Sequence, residues 1–381
     1  MINQSSQIEP LSHLLQEQLL RSMKDTFVGK DDIIDLMGIA LVAGENLFLL
    51  GPPGTAKSAL VHELSRNLHC QSFDYLLTRF TEPNEIFGPF DIRKLREGDL
   101  VTNTEGMLPE ADLVFLDELL NANSAILNSL LTALNERVFR RGRESRKLPA
   151  VMFVGASNQL PQEDSLRALF DRFLLRAHCG PVTESHLSAL LEAGWALDGR
   201  SASIPAAITI EQVRWLQACV RQVSLDGMRD AYLDLIQRLR AAGLALSDRR
   251  AVKLQRVIAA SAIISGRMEA RVSDLWVLRH IWDTEEQQEW LASIVDEAVS
   301  RTEAGHGDHP RARTLSPPDP EMVAKDLASI EQAFATHPTE VLRDHLSALA
   351  SRVEWITEEI AREALKERIA ALWTRIENTA P

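Results

Sequence analysis

At 381 residues, with 45% hydrophobic and 25% charged residues, the chain has the composition of a soluble globular protein and the length for two or three domains. Its formal net charge of −13 argues against a general nucleic-acid binder, which would carry a basic face to release condensed counterions. Cys70, Cys179 and Cys219 are scattered and form no C-x-x-C pair, so neither a disulfide framework nor a zinc site is expected, and the thiols fit a reducing cytoplasm.

The segment Met1 to Pro10 is polar and lacks the basic-then-apolar pattern of a signal peptide, and no run approaches the roughly 20 apolar residues of a membrane helix. Short apolar runs then recur at Leu47–Leu50, Phe73–Leu77, Leu113–Leu116, Val151–Val154 and Phe173–Leu175, with helical-period segments between most of them. Runs of that length alternating with helices predict an α/β domain with a largely parallel sheet over about 11–180.

Gly51-Pro52-Pro53-Gly54-Thr55-Ala56-Lys57-Ser58 follows the first of these strands and precedes a predicted helix over Ala59–Asn67. A glycine-bearing loop between strand and helix is the context in which backbone N–H groups and the helix dipole bind phosphate. Lys57 is placed to reach the β- and γ-phosphates of ATP, and the Ser58 hydroxyl to coordinate Mg²⁺. Ala56 stands where a glycine is usual before the lysine.

The run Leu113–Leu116 ends on Asp117-Glu118. Such a pair can cap a helix, but its position downstream of the phosphate loop favours Asp117 as a Mg²⁺ anchor and Glu118 as the base for an attacking water. Asn158, closing the run from Val151, is either a turn residue or a partner for the γ-phosphate or the water. Arg172 is either half of a surface pair with Asp171 or a free cation for transition-state charge.

Strand signals fade after Pro181, and a smaller all-helical domain is expected over 181–301. Thr209-Ile210-Glu211-Gln212 has the form of a capping box, and helices are predicted over about 211–223, 227–242, 248–265 and 274–283. Residues 302–320 have the Pro/Gly-rich composition of a linker, and His306 and His309 in it read as solvated loop residues without a supporting ligand cluster. A C-terminal helical extension is expected over 321–376. Its stripe of Leu342, Leu346, Leu349, Val353, Ile356 and Ile360 steps by four and three, and resumes after a five-residue step at Leu365, Ile369, Leu372 and Ile376. Packing of this stripe against the 321–335 segment is favoured over an intermolecular coiled coil.

The order of these elements resembles the AAA+ ATPases over roughly 20–285, and is most similar to the MoxR family, in particular its RavA-like branch. The resemblance is carried by Phe27-Val28-Gly29-Lys30, GENLFLLGPPGTAKS (44–58), LLTRFTEPNEIFGPFDI (76–92), FLDELLNANSAILNSLLTALNERVFRRG (115–142), GASN (155–158), ALFDRF (168–173) and LSDRR (246–250). Alanine before the lysine is normal in that family. The resemblance implies that Val28 and Gly29 cradle adenine, with the loop Gly51, Pro52, Pro53, Gly54, Thr55, Ala56, Lys57, Ser58 and Ala59 around the phosphates. It makes Asn158 sensor 1 and Arg172 an arginine finger acting on the neighbouring subunit's nucleotide. It makes Arg249 the sensor 2 arginine, uncertain by one position because of Arg250.

A finger working in trans implies a ring, usually a hexamer. The resemblance also implies an insert over Asp91–Ala111, with Glu97-Gly98-Asp99 as its hairpin turn, and a second hairpin over Arg137–Leu148. This second, basic segment (RVFRRGRESRKL) suits an acidic partner, nucleic acid or salt bridges across the ring, the last being favoured. One helical tail leaves no room in this sequence for the β-rich module typical of RavA-like proteins, so neither that module nor the binding attributed to it is expected. The activity implied is that of an ATP-driven remodelling chaperone, cytoplasmic, working with a von Willebrand factor A domain protein on a protein or metalloenzyme client. A nucleic-acid motor, a nucleotide-switched scaffold and a chelatase-type ATPase subunit are the alternatives. Acidic balance disfavours the first, and an intact Glu118 and Arg172 disfavour the second.

Overall fold

The computed structural model describes residues 5–97, 100–142, 144–183, 186–198, 208–302 and 307–312, and beyond them the helix Glu359–Thr379 with scattered positions between 323 and 353. The chain forms two units, Met1–Ala312 and Arg313–Pro381.

The first unit opens with helices α1 (Ser5–Leu14), α2 (Arg21–Thr26) and α3 (Asp31–Ala43), the last buried from Ile33 to Ala43. Strand β1 (Leu47–Leu50) and helix α4 (Lys57–Leu68) flank the glycine loop as expected. Strand β2 (Ser72–Leu76), the short helices α5 (Pro83–Phe87) and α6 (Ile92–Arg96) and strand β3 (Leu113–Asp117) follow. Helix α7 (Ser124–Glu136), the hairpin of β4 (Val138–Arg141) and β5 (Glu144–Lys147), strand β6 (Met152–Ser157), helix α8 (Asp164–Phe170) and strand β7 (Leu175–His178) complete the α/β part.

Five strands form one parallel sheet in the order β2-β3-β6-β1-β7. Strands β1 and β6 are buried at every position, which is why they read as continuous apolar runs and not as alternating ones. Neighbouring β1 and β7 start together, with Leu47 beside Leu175 and Leu50 beside His178. The chain order reverses around β1, and such a switch point opens a crevice at the carboxyl ends of the strands.

The insert before β3 pairs Phe90 with Thr102 in antiparallel fashion, while its first arm is helical at α6; Gly98 and Asp99, in the expected turn, lie outside the described residues. The second hairpin is antiparallel as expected, and its basic residues mostly bond within the chain. Arg140 pairs with Glu136 at 2.8 Å, Arg146 with Glu110 at 3.3 Å, and Arg141 donates to the Gly88 carbonyl at 2.6 Å while stacking over Phe90.

The helical part comprises α9 (Leu187–Asp198), α10 (Ile210–Cys219), α11 (Arg229–Ala241), α12 (Asp248–Ile264) and α13 (Gln287–Ser300). The Thr209 hydroxyl accepts from the Gln212 amide N–H, and the Gln212 side chain accepts from the Thr209 N–H, closing the capping box. Two expectations are corrected. Residues Val272–His280 wind as a 3-10 helix, with Asp274 turned inward to Arg267 and Ser261. His309 is 4% exposed and stacked on Trp276, so it is not a solvated loop histidine, and burial pushes its pKa down to about 4. Its neighbour Arg311 anchors the 307–312 segment by pairing with Asp35 at 2.8 Å and with Asp32. His306 lies outside the described residues.

In the second unit Leu346, Leu349, Val353, Leu365, Ile369 and Leu372 are buried together with Val323, Leu327 and Ile330. The stripe therefore packs on the preceding segment of its own chain. Leu342 and Ile356, and the side chains of Ile360 and Ile376, lie outside the described residues.

Candidate active site

The glycine loop leaves β1 at the centre of the sheet and is fixed from both sides. Gly51 donates to the Ser157 carbonyl at 3.0 Å, and a Cβ at Gly51 would fall 2.1 Å from the Cys179 carbonyl oxygen, so only glycine fits between the ends of β1 and β7. The Cys179 thiol donates to the Thr55 carbonyl at 3.0 Å, and the Thr55 hydroxyl to the Pro52 carbonyl at 2.9 Å. Ala56, with φ 69°, takes up the left-handed conformation for which glycine is the usual residue.

Lys57 is buried, and its ammonium donates only to carbonyls, Gly51 at 2.7 Å and Pro52 at 2.9 Å. A buried cation held by neutral acceptors at a helix N-terminus fits a phosphate. Ser58, one residue into α4, is half-buried, as is Ala59. At the end of β3, Asp117 and Glu118 are both half-buried. Glu118 adopts φ 48°, and its N–H donates to the Asp117 carboxylate at 2.9 Å. Neither carboxylate caps the next helix; Asn123 does so, accepting from the Ala125 and Ile126 N–H groups. Burial raises the Glu118 pKa, repulsion from Asp117 raises it further, and Lys57 is close enough to oppose the shift.

Strand β6 lies between β3 and β1, and Asn158 follows its last residue; its side chain is exposed and has no partner among the described residues. The parallel sheet thus brings Lys57, Ser58, Asp117, Glu118 and Asn158 to one edge. Gly29, with φ 71°, packs against Val182 just beyond β7, and the Lys30 ammonium donates to the Gly180 carbonyl; Val28 is half-buried beside them. These donors fit a nucleotide and its metal: a hydroxyl and a carboxylate for Mg²⁺, a cation and N–H groups for phosphate.

Arg172 stands elsewhere. Its carbonyl accepts from Asn46 Nδ2 at 2.8 Å, and Asn46 immediately precedes β1, so Arg172 lies at the edge where the strands begin. The four residues of β1 separate it from the loop by roughly 13 Å. Asp171 pairs with Arg176 at 3.8 Å and not with Arg172, whose Nε is buried without a partner. Arg172 and Arg249 line one small cavity of about 120 Å³. Arg249 is exposed, whereas Arg250 is buried and donates to Asp283 at 2.9 Å and to the Ile281 carbonyl. The Asp283 carboxylate is shared with the fully buried Arg176 of β7, an anchor between core and lid that sequence reasoning missed because its partners are 107 residues apart.

Among known proteins, residues 13–218 match the family model for the MoxR domain of MoxR–vWA–β-propeller ternary systems, and residues 230–295 match an AAA lid domain. An uncharacterised protein of Methanocaldococcus jannaschii is 34% identical over 270 residues, covering 70% of each chain. The chaperone MoxR1 of Mycobacterium tuberculosis is 25% identical over 168 residues, covering 43% of this chain and 44% of its own. A crystal structure from Cytophaga hutchinsonii, described as a candidate ATPase, superposes with a TM-score of 0.64 at 16% identity, covering 79% of this chain and 98% of its own, and so shares the fold. With the parallel core, the lid and a family match spanning more than half its length, the chain belongs to the MoxR family of AAA+ ATPases.

Proposed function

We propose that this protein is a Mg²⁺-dependent ATPase that works in a hexameric ring as a protein-remodelling chaperone, together with a von Willebrand factor A domain protein. The observation that carries the reading is the convergence of Lys57, Asp117, Glu118 and Asn158 at the carboxyl edge of three adjacent strands. Lys57 and the loop N–H groups would hold the β- and γ-phosphates, and Val28 and Gly29 the adenine. Ser58 and Asp117 would hold Mg²⁺, which when bound neutralises charge developing on the phosphates. Glu118 takes a proton from the attacking water, helped by a pKa already raised by burial. Asn158 orients that water or the γ-phosphate.

Arg172 opens at the far edge of the sheet from its own loop, which supports a role on a neighbour's nucleotide. Arg249 shares its cavity and is the free member of the Arg249–Arg250 pair, which supports Arg249 as the second arginine of that site. The vWA partner follows from the description of the matching family model, which adds a β-propeller protein to the system. Motif wording alone favours a RavA-like branch.

Glu118→Gln tests the reading. It should keep ATP affinity within a few-fold and lower turnover by about 10²- to 10⁴-fold, the range general-base catalysis contributes. Retained turnover with full ATP binding would remove Glu118 from the reaction.

A further inference from the structure

At the edge of the sheet opposite the proposed nucleotide site lies a cavity of about 640 Å³ between core and lid. The core contributes Gly44 ahead of β1, Arg137 at the end of α7 and Lys147 at the end of β5. The lid contributes Arg214 from α10, Arg221 just after it and Arg256 from α12. The floor is apolar, running from Leu148 to Val151 and on to Val220. Five cations thus meet in one concavity of a chain whose net charge is −13.

We propose that this cavity binds a small phosphate-bearing molecule, with the anion on the five cations and the body of the molecule on the Leu148–Val151 floor. The protein's own carboxylates neutralise only part of the charge. Asp112 pairs with Arg214 at 2.5 Å, and Glu45 divides itself between Arg256 and Lys253, each at 3.3 Å. The side chains of Lys147 and Arg221 are exposed and form no ion pair or hydrogen bond among the described residues.

Arg137 adds an independent sign. It is held in the left-handed conformation at φ 54°, its Nη2 donates to the Asn46 carboxamide oxygen at 2.7 Å and to the Gly44 carbonyl at 3.2 Å, and its face lies 4.5 Å over Phe153. Its Nη1 is fully buried and has no partner. A buried guanidinium with an idle donor is a charge that the chain itself does not fully satisfy.

The volume falls within the range of small-molecule sites, roughly 300–1,000 Å³. A nucleic-acid strand would need a longer basic track and stacking rings. Among the described residues, the ring stacked against one of these cations, Phe153, is already covered by Arg137. Asn46 lies behind the cavity wall, bonding the lining residue Arg137 through its oxygen and the Arg172 carbonyl through its nitrogen, so one carboxamide links the cavity to the backbone of the proposed arginine finger.

Pyrophosphate, titrated by calorimetry in EDTA into the full chain saturated with ADP, tests the site while the phosphate loop is occupied. One further site per chain is expected. The exposed pair Lys147→Ala/Arg221→Ala should weaken it at least tenfold with ADP affinity unchanged, and Lys147→Arg should keep it. The same site should appear in Lys57→Ala without ADP. No heat beyond dilution, competition with ADP, loss of the site in Lys57→Ala, or undiminished binding in the double variant would each overturn the proposal.

Discussion

Glu118 and Ala56 both sit in the left-handed region that L-residues avoid, at φ 48° and 69°, and both belong to the proposed nucleotide site. Each costs on the order of 1–3 kcal/mol in local strain, which persists where the surroundings impose it. At Ala56 the constraint is the sharp exit of the loop into α4; at Glu118 it is the bend by which the chain leaves β3 without using the carboxylate as a cap. The Glu118 environment also makes a pH prediction. The carboxylate is the form that accepts a proton, so activity is lost as pH falls through its pKa. Because burial and Asp117 raise that pKa, the acidic limb of kcat/KM should lie above the ordinary glutamate value, and Glu118→Gln should abolish that limb along with the rate. A wild-type limb at or below the ordinary glutamate value would contradict the assignment of Glu118 as the base.

Among elements, the contact that matters most is between β7 and the lid. Arg176 is fully buried on β7, with burial pushing its pKa down to about 10, and it still carries a charge at neutral pH. It shares Asp283 with Arg250 of α12 and rests on the Phe170 ring at 4.0 Å. Removing the shared carboxylate leaves the buried Arg250 without a counter-charge among the described residues, and Arg176 with only the longer, 3.8 Å pair to the exposed Asp171. Asp283→Ala should therefore cost about 3 kcal/mol or more in urea unfolding, where an exposed ion pair such as Arg140–Glu136 costs at most about 1 kcal/mol. Equal losses for Asp283→Ala and Arg140→Ala would mean that Asp283 holds nothing together. Asp171 and Arg172 lie at the end of α8, Arg176 follows on β7, and Arg249 precedes Arg250 on α12, so this anchor also fixes the two arginines proposed to serve a neighbouring subunit.

At the scale of the whole molecule, the parallel sheet puts the glycine loop and Arg172 on opposite edges, so the proposed nucleotide site and the proposed finger face different ways. If each hydrolytic centre takes Glu118 from one subunit and Arg172 from the next, two inactive variants complement each other. An equimolar mixture of Glu118→Gln and Arg172→Ala should recover up to about a quarter of wild-type turnover, the fraction of random interfaces with both residues intact. A mixture that co-assembles and stays silent would leave Arg172 without a role in trans.

The glycine loop between strand and helix, the acidic pair at the end of β3, the strand positions and the Thr209 cap were legible in the chain, because each depends on neighbours a few residues away: a glycine turn, a run of apolar side chains, a reciprocal cap. The burial of His309, the sharing of Asp283 and the cationic cavity were not, because each is made by groups brought together across the fold. Trp276 meets His309 when the segment after the helical part folds back on it, while Arg176 meets Asp283 and Arg137 comes to line one cavity with Arg221 only where core and lid lie against one another. Local pattern sets which side chains can reach a phosphate. Which arginine stays free and which is buried depends on desolvation and pairing, and these exist only in the folded chain.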